Sequence, residues 1–95
     1  MRIIKRGALV QFWERHPDAK ASLESWYGVV RGATWQTPAE MRQIYHHADL
    51  VGRRTVFNIG GNKYRLIARV NYHSQRVFVL YILTHAEYDR GDWKR

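Results

Sequence analysis

The sequence predicts an α+β domain: a short first strand, three helical segments, three strands and a short helical tail. Three observations carry this. Up to Ile44 the apolar residues recur at helical spacing, and after Gly52 the period shortens to two. The pair Gly60-Gly61 separates two β-rich runs, as a tight hairpin requires. Thr84 and Glu87 form a helix-start signature at the end of the last strand. Helices and strands in separate runs point to α+β rather than to alternating βαβ units. The 95 residues make one domain, residues 1–95, with no internal repeat, low-complexity stretch or linker.

Arg2 to Lys5 reads as a short strand. Gly7 to Arg15 reads as a helix, with Leu9, Phe12 and Trp13 at helical spacing. His16-Pro17 ends it, because the residue before proline is pushed out of the α region. Pro17 then opens a second helix at its first position. Leu23, Trp26, Tyr27 and Val30 form that helix's core-facing stripe, and Gly32 ends it. Thr37-Pro38-Ala39-Glu40 starts a third: Thr37 as N-cap, proline first, and Glu40 reaching back as a capping box. Met41, Ile44 and Tyr45 are expected to face the core, and Ala48 to Gly52 reads as a loop.

Thr55 to Ile59 is a β-branched and aromatic strand, and Gly60-Gly61-Asn62 supplies the positive-φ turn. Lys63 to His73 alternates. Tyr64, Leu66, Ala68, Val70 and Tyr72 fall on one face; Lys63, Arg65, Ile67, Arg69 and Asn71 fall on the other. Val77 to Leu83 is apolar at nearly every position, as in a central strand covered on both faces. The second capping box makes His85 the first residue of a short helix. Trp13, Trp26 and Trp35 are expected in the core or between helices, and Trp93, in a charged tail, is expected to be exposed.

Lys and Arg number 16 against 8 Asp and Glu, a formal charge of +8, which favours a polyanionic partner. With 45% hydrophobic residues the chain builds a core and is not a disordered tail. Without cysteine, disulfides and thiol catalysis are excluded and a reducing cytoplasm is permitted. Near the N-terminus Gly7 and Gln11 bracket only Ala8-Leu9-Val10, too little for a secretory signal. No window approaches the ~18 apolar residues of a membrane span, so a cytoplasmic location is expected.

The cationic strand face is the first candidate site. Lys63 and Arg65 stand roughly 7 Å apart along a strand, a spacing that suits neighbouring phosphates or one phosphate gripped from two sides. Arginine's planar fork stabilises charge developing on phosphoryl oxygens. A solvated polar sheet face explains the same pattern. His85 is the second. At a helix start the dipole disfavours its charged form, and a neutral imidazole accepts a proton. Tyr88 and Asp89 share its helix face. RNA carries its own nucleophile, the 2′-hydroxyl. Cutting it needs a base, an acid for the leaving oxygen and a cation for the transition state, and His85, Tyr88 and Arg65 supply such groups. Equally, His85 serves as a cap residue and Tyr88 packs the tail. His46-His47, read as helical neighbours, diverge by about 100° and make a poor metal pair, so no metal or other cofactor is expected. Gly60-Gly61 is not a phosphate loop, because no Gly-Lys-Ser/Thr follows.

Phe57-Asn58-Ile59-Gly60-Gly61-Asn62, then Arg65, then Thr84-His85-Ala86-Glu87-Tyr88-Asp89 resemble the signature of the HigB-type toxins of type II toxin–antitoxin systems, in the RelE-like superfamily of messenger-RNA interferases. The resemblance runs the length of the chain and includes His16-Pro17-Asp18-Ala19 and the Ala48-Asp49 loop. It implies a compact RelE-like domain, with helices on one face of a mostly antiparallel sheet. It implies a ribosome-dependent endoribonuclease that cuts messenger RNA by 2′-hydroxyl attack without a metal and so inhibits translation. It implies a cognate antitoxin with a helix-turn-helix domain, through which the toxin–antitoxin complex binds operator DNA. Arg65, His85 and Tyr88 inherit the catalytic roles. Lys63, Arg69, Arg53 and Arg54 are assigned to messenger or ribosomal RNA. Better-studied relatives bring several lysines and arginines into the active site, where Lys63 and Arg69 stand in here. The competing reading is a non-catalytic RNA- or ribosome-binding module with the same basic face.

Overall fold

The computed structural model of the chain describes residues 1–94. In chain order the elements are β1 (Arg2–Ile4), α1 (Gly7–Arg15), α2 (Lys20–Gly32), α3 (Pro38–Ile44), β2 (Asp49–Val51), β3 (Arg54–Ile59), β4 (Tyr64–Asn71), β5 (Arg76–Thr84) and α4 (His85–Arg90). Short 3-10 turns at Pro17–Ala19 and Asp92–Lys94 precede α2 and follow α4. The strands form one sheet in the order β1-β5-β4-β3-β2. Every pairing is antiparallel except that of β1 with β5. The expected α+β class and mostly antiparallel sheet are therefore present.

The first three helices cover one face. Phe57, Ile59, Leu66, Ala68, Val77 and Val79 point from the sheet into a core shared with Leu9, Phe12, Leu23, Trp26, Val30 and Met41. Burying each large aliphatic side chain contributes about 1.5–3 kcal/mol, so this face supplies most of the driving force. Trp26 meets Phe57 edge-on at 5.5 Å. On the opposite face a smaller cluster of Val56, Ile67 and Trp93 gathers Val51, Leu83 and Tyr88 around it. The C-terminal segment thus covers part of the side of the sheet that the helices leave open.

Several local expectations change. Ala48 to Gly52 is not a plain loop, because Asp49–Val51 pairs with β3 as β2. Three residues are too few to carry a period, and pairing with β3 decides their conformation. Pro17 opens a 3-10 turn, and the α-helix proper starts at Lys20. Thr37 caps α3 through the Glu40 amide, but the Glu40 carboxylate accepts from the Gln36 amide rather than from Thr37. Ile44 is 56% exposed because α3 ends there. In β5 the register steps from Ala68↔Val79 to Ile67↔Tyr81, so Leu80 is bulged out. Leu80 and Tyr81 are exposed, and the second face of β5 is only partly covered. Trp93 is 3% exposed, the reverse of the expectation, because the chain turns back at Gly91 (φ 74°) onto the sheet.

Candidate functional site

Strand register builds the site on the face away from α1–α3. Arg65 stands opposite Asn58 on β3 and Leu83 on β5, and Arg69 stands opposite Phe78. Arg65 and Arg69 share this face but lie four residues apart, roughly 14 Å along the strand. The Arg65 guanidinium is held on one edge, where Nη1 donates to the carbonyls of Asn62 and Tyr64, each at 3.2 Å. Its guanidinium carbon lies 5.4 Å from the Tyr88 ring centroid, within cation–π range.

Lys63 does not join this row. It precedes β4, in the hairpin turn, and its ammonium pairs with Asp18 at 3.2 Å. Asp18 also accepts the Tyr64 hydroxyl at 2.6 Å, from the helix side of the sheet. The Tyr64 bond, joined by Lys63, holds the Asp18 carboxyl below its ordinary value, and the same bond raises the Tyr64 phenol. Tyr64 also meets Phe12 and His16 edge-on or tilted, at 5.2 and 5.4 Å. Asp18 thereby ties the start of β4 to the turn before α2.

The other half of the site is α4. The Thr84 hydroxyl accepts from the Glu87 amide and the Glu87 carboxylate accepts from the Thr84 amide, at 3.2 and 2.9 Å. Both halves of the expected capping box are thus present. The backbone bond to Thr84 leads in holding the Glu87 carboxyl below its ordinary value. The His85 amide donates to the Lys63 carbonyl at 3.1 Å, which docks the helix start on the hairpin. The imidazole of His85 is half-exposed, and its Nδ1 meets Asp89 Oδ2 at 2.9 Å, one helical turn on. In a neutral imidazole a carboxylate at Nδ1 favours the tautomer with the proton there and leaves Nε2 as the acceptor.

Tyr88, three residues after His85, turns toward the sheet and stacks on Trp93 (5.2 Å between centroids, 13° between planes). The structure therefore brings Arg65 against Tyr88, with His85 on the same short helix and engaged by Asp89.

The remaining basic residues gather elsewhere. Arg53, Arg54 and Arg69 line an open groove of about 420 Å³ at the end of β3 and β4 away from the glycine hairpin. Arg54 is already engaged: Nη1 donates to the Trp93 carbonyl, and its guanidinium lies 5.8 Å from the Tyr81 ring. His46 and His47 are not helical; they sit in a turn closed by the Ala48 amide on the Tyr45 carbonyl. They line a second groove of about 540 Å³ with Asn58 and Asn62. Among the described residues no three His, Asp or Glu side chains converge as metal ligands. No described helix is long and apolar enough to cross a membrane.

The sequence reading missed two residues of this region. Asp18 reaches Lys63 and Tyr64 across 45 and 46 positions, and no local pattern announces such a contact. Trp93 follows Gly91-Asp92, and that glycine was the available signal, since a left-handed helix end turns the chain back.

A family model described as HigB_toxin, RelE-like toxic component of a toxin-antitoxin system, matches residues 19–91. A protein named mRNA interferase HigB, from Escherichia coli O6:H1 strain CFT073, is 34% identical over 93 residues, 95% of this chain and 90% of that protein. The mRNA interferase toxin HigB of Escherichia coli K12 is 28% identical over 92 residues, 94% of this chain and 88% of that protein. A mRNA interferase HigB of Shigella flexneri matches to the same extent.

Proposed function

The chain belongs to the HigB toxin family, the RelE-like toxic components of toxin–antitoxin systems, and on that basis we propose that it cuts messenger RNA on the ribosome. The observation that carries the reading is the Arg65 guanidinium against the Tyr88 ring, with His85 one helical turn away on α4. The 2′-hydroxyl attacks the adjacent phosphorus and the bond to the 5′ oxygen breaks. His85, held through Nδ1 by Asp89, takes the 2′ proton on Nε2. Tyr88 gives its phenolic proton to the leaving 5′ oxygen and regains one from solvent, and Arg65 stabilises the charge on the pentavalent phosphate. The products are a 2′,3′-cyclic phosphate and a 5′-hydroxyl, and no metal enters the step.

The basic groove lined by Arg53, Arg54 and Arg69 holds the backbone of messenger or ribosomal RNA, whereas Lys63, in the hairpin turn, is already paired with Asp18 and contributes less. A toxin of this family works with an antitoxin. We assign that partner a helix-turn-helix domain that carries the complex to operator DNA, and we place the protein in the cytoplasm, where translating ribosomes are. Induction in growing cells tests the reading. The wild type is expected to arrest growth and shorten transcripts, and Arg65→Ala or His85→Ala to be harmless. Equal harmlessness of all three, with RNA intact, counts against an enzyme. Salt-sensitive RNA binding without new RNA ends favours a binding module instead.

A further inference from the structure

We propose that Trp93 is a positioning residue for the reaction: it holds the Tyr88 phenol flat in front of Arg65. The inference rests on the reading of Tyr88 as a group that meets RNA. α4 has six residues, far fewer than the ~12 that sustain an isolated helix, so packing at its two ends must set where Tyr88 points. The Thr84–Glu87 box and the Lys63 carbonyl fix the first end. Trp93 fixes the second by three separate contacts. Its indole stacks on the Tyr88 ring at 5.2 Å. Its Nε1–H donates to the Tyr88 carbonyl at 3.1 Å. Its own carbonyl accepts from Arg54 on β3, which anchors the turn to the sheet.

The contacts are one-sided in a useful way. The indole is buried against Val56 and Ile67, so it cannot meet RNA itself. The Tyr88 hydroxyl, in contrast, has no hydrogen-bonding partner among the described residues, while its ring is fixed by Trp93 and faces Arg65. A tyrosine held by its ring and free at its oxygen is arranged to meet a substrate oxygen. Trp93 also lies two residues beyond the segment that the family model matches.

The test compares Trp93→Phe with Trp93→Leu. Both keep a large apolar side chain against Val56 and Ile67, and only phenylalanine keeps a flat ring for Tyr88. Single-turnover cutting of ribosome-bound messenger is measured across toxin concentrations, beside a thermal melt of each variant. Trp93→Leu is expected to melt cooperatively and to lose about tenfold or more in the saturated rate, the scale of a misplaced reacting group. Its half-saturating concentration should stay near that of the wild type, and Trp93→Phe should recover most of the rate. A wild-type saturated rate in Trp93→Leu overturns the proposal. So does a loss confined to the half-saturating concentration, or an equal loss in Trp93→Phe. A wild-type protein that cuts nothing overturns the ribonuclease reading as well, which separates the two failures.

Discussion

The Arg65 guanidinium carbon stands 5.4 Å from the centroid of the Tyr88 ring, joining a residue of the hairpin's second strand to one in the last helix. The contact fixes a cation beside a phenol on the sheet face that α1–α3 leave open. Arg65→Lys keeps the charge but loses the planar fork and its fit to the ring. The cutting rate is expected to fall about 10- to 100-fold, while stability changes by less than ~1 kcal/mol, the worth of an exposed cation–π contact. Single-turnover cleavage beside a thermal melt measures both.

The His85–Asp89 contact at 2.9 Å carries a separate expectation. Asp89→Asn keeps the side chain's size and offers Nδ1 either a donor or an acceptor, so the tautomer is no longer fixed. Cutting should slow about tenfold, a fraction of the ~10²–10⁴ that a positioned acid or base contributes. Both side chains are more than half exposed, so the melt should hardly move. An unchanged rate in Asp89→Asn would remove Asp89 from the account.

At the start of α4, Thr84→Ala removes the side-chain acceptor of the Glu87 amide. The expected loss is ~1 kcal/mol, read from the denaturant midpoint at constant slope. Cutting should fall with it, since His85 and Tyr88 ride on this helix.

Stability should also respond to acid in a definite direction. The Asp18 carboxyl is held down by the Tyr64 hydroxyl and Lys63, and Glu87 by the Thr84 amide. Each has a folded value below its unfolded one, so the unfolded chain binds more protons between the two. Their contribution is full above the unfolded carboxylate range near ~4 and is lost as pH falls through the folded values. Melts taken on descending pH should show this loss, and Asp18→Asn and Glu87→Gln should each flatten it. A slope that neither substitution changes would place the acid sensitivity elsewhere.

How far the sequence reached differs between the two halves of the site. The glycine hairpin, the alternation of β4 and the Thr84 box are signals spanning a few residues, and each predicts its element. The place of Arg65 on β4 and of His85 at a helix start follows from such signals. Lys63 was misplaced by continuing the alternation one residue too far, into a turn where Asp18 takes its ammonium. Trp93 was misjudged because its neighbours Asp92 and Lys94 are charged, whereas its burial depends on Val56 and Ile67, more than twenty residues upstream. β2 escaped for the same reason: pairing with β3 makes it a strand. Local chemistry was legible, and contacts between distant segments were not.

The chemistry of the new RNA ends reports on the cleavage step itself. Purified protein is incubated with ribosomes translating a defined message, and the new ends are identified. The wild type is expected to leave 2′,3′-cyclic phosphates and 5′-hydroxyls, and Arg65→Ala and His85→Ala to leave neither. Ends bearing 5′-phosphates, or cutting that survives both substitutions unchanged, would contradict this mechanism.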